Sequence, residues 1–261
     1  MSDWFRDDLT SLAFCWRLER RDGVVLGFTS HDRDLDLGGL TYRAAPGMVP
    51  SAIERRDSLD PDTMELSGAL TSSLITDADL LAGRWDGARL RVMAVTWADP
   101  ADNPVFLARG ELGSVESDGL SFSAELRGPS ALLEAPVVEE TSPECRAELG
   151  DRRCRVDMAG RRTLARIVSA NGAVVTVDNG PGDYAFGTLR WLDGANAGLT
   201  GAIMASSGPQ VELREPPPFV PGPGAMVELI EGCDKRLTTC VARFANAANF
   251  RGEPHLPGND L

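Results

Sequence analysis

Apolar and polar residues alternate in short runs along most of the chain, and turn residues separate these runs. Such runs are typical of β-strands, whereas the three- and four-residue apolar spacing of helices is scarce. Four glycine-containing turns lie between strand-like runs: Asp22-Gly23, Gly38-Gly39, Asp118-Gly119 and Asn171-Gly172. At Asn171-Gly172 we expect a type I′ turn in which both residues have positive φ. The pattern predicts a mainly β protein whose strands are mostly antiparallel.

Three short segments have helical features. Residues 76–83 begin with Thr76, a good N-cap, and end at a glycine. Residues 141–150 have Thr141 three positions before Glu144, the spacing of a capping box. Residues 234–248 place four side chains on one helical face: Leu237, Cys240, Val241 and Phe244. We therefore predict three short helices within the β framework and expect Leu237, Val241 and Phe244 to dock the third.

A domain boundary is predicted near residues 134–143, where acidic residues cluster with two prolines. The charge balance also changes there. Residues 1–140 contain 13 Arg and 25 acidic residues, a net charge of −12, whereas residues 141–261 have a net charge of −1. We expect an acidic β domain over 1–137 and a second β domain over 138–261. An acidic surface repels phosphate, which disfavours sequence-independent nucleic-acid binding and otherwise simply favours solubility.

Nothing in the hydropathy pattern predicts a membrane span. No apolar run reaches the roughly 18 residues needed to cross a bilayer. The first ten residues are acidic, whereas a signal peptide has a basic start followed by an apolar stretch. We expect synthesis and assembly in the bacterial cytoplasm.

Four of the five cysteines form two pairs in the second domain. Cys145 and Cys154 make one pair, and Cys233 and Cys240 make the other. Ordinary buried thiols, disulfides and a four-thiolate metal site all remain possible interpretations. A cytoplasmic fold argues against disulfides, but neither pair has the short spacing typical of zinc or simple ferredoxin sites, so spacing selects no metal. The fifth, Cys15, lies in a strand-like run and is expected in the core, as are Trp16, Trp97 and Trp191.

Basic residues crowd the paired cysteines: Arg146, Arg152, Arg153, Arg155, Lys235 and Arg236. Nearby cations lower the pKa of a thiol and favour the thiolate that binds a metal. We therefore expect these side chains to support metal binding.

No catalytic constellation stands out. The chain has only two histidines, His31 and His255, so a histidine-based metal triad cannot form. His31 lies among Asp32, Asp34 and Asp36, which we interpret as a polar hairpin or strand edge. The sequence contains neither a nucleophile elbow nor a P-loop. We predict that the protein is not an enzyme.

The C-terminal region carries a specific resemblance. Residues 232–260, GCDKRLTTCVARFANAANFRGEPHLPGND, closely resemble the signature of baseplate hub proteins from alphaproteobacterial gene transfer agents and related siphophages. The shared positions beyond the cysteines are Asn249, Phe250, Gly252, Pro254, His255, Pro257 and Gly258. Residues 145–157, CRAELGDRRCRVD, and residues 59–70, LDPDTMELSGAL, resemble the same family, so the similarity extends over nearly the whole chain.

The resemblance implies both a cofactor and a place in a particle. Such hubs are similar to the tail-tip protein of lambda-like phages, so Cys145, Cys154, Cys233 and Cys240 would ligate one [4Fe–4S] cluster. The resemblance also implies tail-tube-like barrel or sandwich modules and a homotrimer at the virion tail tip. Its partners would be the distal tail protein and the large tip or fibre protein, with DNA passing through the lumen. The alternative is an iron–sulfur or zinc enzyme, such as a cell-wall hydrolase.

A cluster on these cysteines would join distant parts of the chain. Cys154 and Cys233 are 79 positions apart. Closing so long a loop restricts the unfolded chain, so metal binding would contribute to folding. We expect residues 249–258 to form an ordered strap beyond the last cysteine.

Overall fold

The computed structural model describes residues 11–44, 48–50, 63–69, 75–117, 121–128, 138–180 and 182–256. The chain divides into two compact units, residues 1–137 and 138–261. The Asp118-Gly119 turn and the last residues of the expected strap, Pro257 and Gly258, lie outside the described residues.

The first unit is built on a curled nine-stranded sheet. Its strands are β1 (Leu12–Glu19), β2 (Val25–Thr29), β3 (Leu35–Leu37), β4 (Leu40–Ala44), β5 (Met48–Pro50), β6 (Thr63–Ala69), β7 (Arg89–Thr96), β8 (Val105–Ser117) and β9 (Ser121–Arg127). Their order in the sheet is β3-β4-β2-β1-β7-β8-β9-β6-β5. The pairs are antiparallel except for β2 with β4, which run parallel.

Strands β1 and β7 lie in the middle of this sheet and carry apolar side chains on both faces. On one face, Trp16 and Leu90 pack in a cluster with Trp85 and Leu80 from the segment that includes α1 (Asp77–Leu81). On the other face, Cys15 and Met93 pack with side chains from the β3–β4 hairpin. Central strands buried on two faces lose the simple alternation of a half-exposed strand. The expectation that Cys15 and Trp16 belong to the core is confirmed.

The second unit contains a closed six-stranded barrel in the order β10-β11-β14-β13-β12-β15. Its strands are β10 (Arg162–Asn171), β11 (Val174–Val177), β12 (Thr188–Trp191), β13 (Thr200–Ser207), β14 (Gln210–Leu213) and β15 (Met226–Ile230). Pairing of β10 with β15 closes it. Its interior is filled by apolar side chains including Ile167, Trp191, Ile203 and Leu229, each 2% exposed or less. The predicted mainly β fold class is confirmed.

Two local predictions, one about a turn and one about a buried tryptophan, need correction. Among the described residues, Gly172 has a φ of 58° but Asn171 is not at positive φ. Register pairs Asn171 with Val174, so Gly172 and Ala173 are the central turn residues. A glycine alone at positive φ in the first central position is typical of type II′ rather than type I′. Trp97 is 46% exposed rather than core, and its ring lies 5.4 Å from that of His31.

The helix predictions had mixed outcomes. The first is confirmed, because α1 begins after Thr76, whose side chain accepts a hydrogen bond from the Asp79 N–H. The third is confirmed as α2 (Leu237–Phe244). The second is wrong, because residues 141–150 form turns and bends and no helix. Among the described residues, no helix is long and apolar enough to cross a membrane.

Candidate metal centre

The four paired cysteines come from three parts of the second unit. Cys145 and Cys154 lie in the irregular segment that precedes β10, Cys233 follows β15, and Cys240 lies on α2. Because β10 and β15 are neighbours in the barrel, the segments before and after the barrel emerge side by side. Barrel closure thus brings the two sequence pairs together.

All four cysteines line one small cavity. Apolar side chains complete much of its wall: Ala147, Leu149, Val156, Phe244 and Phe250. Cys154 and Cys240 are 8% and 7% exposed, and Cys145 and Cys233 are partly buried. Each of the four is a free thiol. The four thiols thus share one cavity, as the metal-site interpretation requires.

The thiols influence one another electrostatically. Burial raises the pKa of Cys240, and the neighbouring Cys233, Cys145 and Cys154 raise it further. Burial likewise raises the pKa of Cys233, against a lowering by the Lys235 backbone N–H. A metal bound here must therefore displace protons from thiols that resist ionisation.

Three N–H groups donate to sulfur atoms at the site. The Lys235 backbone N–H donates to Cys233 Sγ at 3.4 Å, and the Arg251 N–H donates to Cys145 Sγ at 3.3 Å. The Asn246 side-chain amide lies 3.6 Å from Cys154 Sγ and also donates to the Cys154 carbonyl at 2.7 Å. Such donors stabilise negative charge on sulfur and are a recurrent feature around iron–sulfur clusters.

Although burial raises the pKa of Cys233, the charge of Lys235 lowers it, as predicted for a nearby cation. Three of the predicted cations also bind oxygen atoms. Arg146 makes a bidentate ion pair with Glu253, at 2.6 and 2.8 Å, and also contacts Glu139. Arg153 also binds Glu139. The Lys235 ammonium donates to the Ala147 carbonyl at 2.7 Å and to Glu148 at 2.9 Å. Arg146, Arg153 and Lys235 therefore also hold the cysteine segments together.

A network of charged groups attaches α2 to the barrel. Arg161 and Arg243 lie on the Phe244 ring at 4.9 and 5.0 Å, and both bind Glu231 Oε2. By contrast, Val241 is 50% exposed, so the expectation that it docks the helix is wrong. Sequence spacing identified the helix but missed this anchor, because its members lie on separate segments.

The C-terminal strap crosses the first cysteine segment. The Arg146 N–H donates to the Arg251 carbonyl at 3.0 Å, and the Glu253 N–H donates to the Ser142 carbonyl at 2.7 Å. Gly252 fits so closely that an added Cβ would lie 2.5 Å from the Glu144 carbonyl oxygen. The Arg146 guanidinium and the Ser142 N–H hold the pKa of Glu253 at about 2, below its usual range. The ordered strap is thus observed for residues 249–256.

Tight backbone geometry surrounds the cysteines. Arg155, Lys235 and Ala245 have positive φ values, an uncommon conformation for residues other than glycine. Gly232, next to Cys233, approaches the Phe186 carbonyl so closely that an added Cβ would lie 2.0 Å from it. Such conformations persist only where surrounding structure enforces them, and they concentrate at functional sites.

Neither histidine joins the centre: His31 belongs to the first unit, and His255 is exposed in the strap. Among the described residues, no three His, Cys, Asp or Glu side chains are arranged to hold a single metal ion.

Comparison with known proteins identifies the family. Residues 1–157 match the family described as baseplate hub protein, N-terminal attachment domain. The chain belongs to the baseplate hub protein family. Residues 182–260, which include the second cysteine pair, match a family described as phage conserved hypothetical protein BR0599.

A solved structure extends the similarity over both units. The hub is 40% identical to a chain in the virion of a native gene transfer agent particle, with a TM-score of 0.86. The match covers 98% of the hub and 91% of that chain. Comparison with curated proteins found no match. The predicted family is confirmed, and the hub is a component of a phage-like virion tail.

Proposed function

We propose that this hub is a non-catalytic structural component at the tail tip of a gene transfer agent particle and carries a [4Fe–4S] cluster on Cys145, Cys154, Cys233 and Cys240. The observation that carries the proposal is the shared cavity of these four thiols in a member of the baseplate hub family. The hub would join the distal tail protein to the tip or fibre protein. The 40% identity to a gene transfer agent virion chain supports this placement.

The family resemblance and the hydrogen bonds to sulfur favour a cluster over a single zinc ion. Hubs of this family are similar to the lambda-like tail-tip protein, in which four cysteines hold an iron–sulfur cluster. Neither cysteine pair has the short spacing usual for structural zinc. N–H groups also donate to three of the four sulfur atoms, and such donors recur around iron–sulfur clusters.

The proposed cluster has a structural role. When bound, it would supply four iron–thiolate bonds that join the segment before the barrel to the helix after it. The protein contributes the rest: Glu231, Arg161 and Arg243 fix α2, and the Arg146–Glu253 pair fixes the strap. Metal binding energy then adds to the free energy of folding of the region that closes the barrel end. Such a cross-link suits a tail tip that must withstand DNA passage.

The proposal includes a homotrimeric ring with a central lumen for DNA. The acidic character of residues 1–140, with a net charge of −12, supports passage without adhesion because like charges repel. Cryo-electron microscopy of purified tails tests the symmetry: three hub copies around the tail axis are expected. A different copy number would contradict the trimer.

The cluster is tested by anaerobic purification of the full chain. We expect a brown protein with broad absorbance near ~400 nm, typical of iron–sulfur chromophores. The Cys154→Ser variant should lose this absorbance, and Cys15→Ala should retain it, because Cys15 lies in the other unit. Colourless wild-type protein, or zinc in place of iron, would contradict the cluster.

The hub role is tested separately in particles. Deletion of the coding sequence should leave tubes that lack the tip or fibre protein, and expression of the wild-type chain should restore complete tails. Normal, infectious particles from the deletion would contradict the hub role whatever the metal content.

A further inference from the structure

A cleft in the first unit is lined by five arginines: Arg21, Arg89, Arg91, Arg109 and Arg127. Its volume is about 610 Å³, within the range of small-molecule sites, roughly 300–1,000 Å³. Two carboxylates, Asp86 and Glu111, also line it, so the lining has a net charge of +3. Since residues 1–140 carry a net charge of −12, this concentration of positive charge is opposite to its surroundings.

The sheet places like charges directly opposite each other. Arg91 pairs in register with Arg17 on one side and with Arg109 on the other. Like charges facing each other across strands are destabilising. Among the described residues, neither Arg91 nor Arg109 makes an ion pair. Arg17 pairs with Glu19 at 3.7 Å, but its buried Nε has no hydrogen-bond partner. An anion bound to Arg91 and Arg109 would relieve the repulsion within this row of Arg17, Arg91 and Arg109.

Glycines open the cleft to the arginines. Gly87 has a φ of 64°, and an added Cβ there would lie 2.3 Å from an Arg21 guanidinium nitrogen. The Arg21 side chain therefore lies directly across Gly87, and any larger residue would displace it. Gly110, Gly113 and Gly128 also line the cleft. Guanidinium groups are the side chains best suited to bidentate binding of phosphate.

We propose that this cleft binds a compact, multivalent phosphate anion. The strongly acidic character of the unit repels a long polyanion, but charges beyond a Debye length of about 8 Å are screened at physiological salt. A compact anion therefore interacts mainly with the arginines of the cleft, whereas extended DNA is also repelled by the acidic surface. The site is independent of the four cysteines, which belong to the other unit.

The test measures binding of sodium tripolyphosphate to the full-length protein at physiological ionic strength, about 0.15 M. Calorimetry should show binding that weakens as further NaCl is added. The double variant R91Q/R109Q should bind at least about tenfold more weakly, because charge-assisted hydrogen bonds are lost. Its melting temperature without ligand should equal or exceed that of wild type, because a repulsion is removed. The matched control R33Q/R43Q changes two exposed arginines outside the cleft and should bind like wild type.

Three outcomes would overturn the proposal. No tripolyphosphate binding by the wild type is the first, and equal binding by R91Q/R109Q is the second. The third is preference for another ligand: a DNA oligonucleotide or an oligoglutamate peptide that binds more tightly than tripolyphosphate, with binding lost in R91Q/R109Q. A large fall in melting temperature of R91Q/R109Q would assign the row a structural role and contradict the argument from repulsion.

Discussion

The barrel and the cysteine-bearing segments beside it are held together by different forces. The barrel buries apolar side chains such as Ile167, Trp191 and Leu229 and closes through backbone pairing. The cysteine segments have one short helix, and ion pairs, close glycine contacts and N–H donors to sulfur organise them. Burial of apolar area stabilises the barrel, whereas the exposed ion pairs of the cysteine segments contribute little to stability. The cysteine segments are therefore the part of the unit that gains most from a metal cross-link.

The largest effect is expected in the barrel core. Leu229 is fully buried, so Leu229→Ala should lower the free energy of unfolding by about 2–5 kcal/mol through lost burial and a cavity. Denaturant unfolding measures it. Leu164→Ala, at a barrel position 60% exposed, is the matched control and should change stability by less than about 0.5 kcal/mol. Equal effects would show that the barrel does not depend on its core.

Loss of one cysteine ligand should affect the other region selectively. In Cys240→Ser, hydrogen exchange should quicken in residues 142–156 and 233–256, while exchange in the barrel strands changes little. Hydrogen-exchange mass spectrometry of anaerobically prepared wild type and variant measures this. The control is Cys15→Ala, which should leave both segments unchanged. Global unfolding of Cys240→Ser would contradict an independently stable barrel.

The strap contact gives an intermediate effect. Gly252→Ala places a Cβ against the Glu144 carbonyl and should cost about 1–3 kcal/mol, because backbone must shift. Exchange protection of the Glu253 amide, which donates to Ser142, reports it. Gly222→Ala is the control, since nothing lies within 4 Å of its added Cβ. Similar losses of exchange protection in the two variants would contradict a stabilising contact between the strap and Glu144.

The Glu253 carboxylate should make the strap sensitive to acid. Its folded-state pKa of about 2 lies below the ordinary value of 4.5. Its stabilisation is therefore fully present above about pH 4.5 and is lost as the pH falls toward 2. Exchange protection of the strap should weaken over this range in wild type, and Glu253→Gln should start weaker and change less. Glu215→Gln, at an exposed position, should behave like wild type.

The smallest effect concerns the end of α2. Ala245 has a φ of 48° and a ψ of 37°, a left-handed conformation that glycine adopts without cost. Ala245→Gly should therefore either leave the free energy of unfolding unchanged or raise it by up to about 1 kcal/mol. Ala242→Gly, an exposed position inside the same helix, should instead destabilise it by about 1 kcal/mol. Thermal melts compare the two, and destabilisation by both would contradict the left-handed cap.

Local chemistry in the sequence predicted much of the β fold. Glycine turns at residues 22–23 and 38–39, the Thr76 cap and the α2 pattern all depend on near neighbours. The four cysteines and their family were also recognisable, because the signature around Cys233 and Cys240 is contiguous. The wrong helix over 141–150 shows the limit. Its capping-box spacing was overridden when the backbone of Cys145, Arg146 and Ser142 paired with residues distant in sequence.

The missed contacts share one property: their partners are far apart along the chain. Arg146 lies 107 positions from Glu253, and Arg161 lies 70 positions from Glu231. Charge density near the cysteines drew attention to Arg146, but only the fold shows that Arg146 and Arg161 bind carboxylates. The pairing of Arg91 with Arg17 and Arg109 likewise required the strand register.

Iron and acid-labile sulfide analysis of the anaerobically purified full chain tests the central claim most directly. The account predicts about four iron and four sulfide per chain, lost together in Cys154→Ser and kept in Cys15→Ala. One zinc per chain without sulfide, or four free thiols without metal, would contradict it.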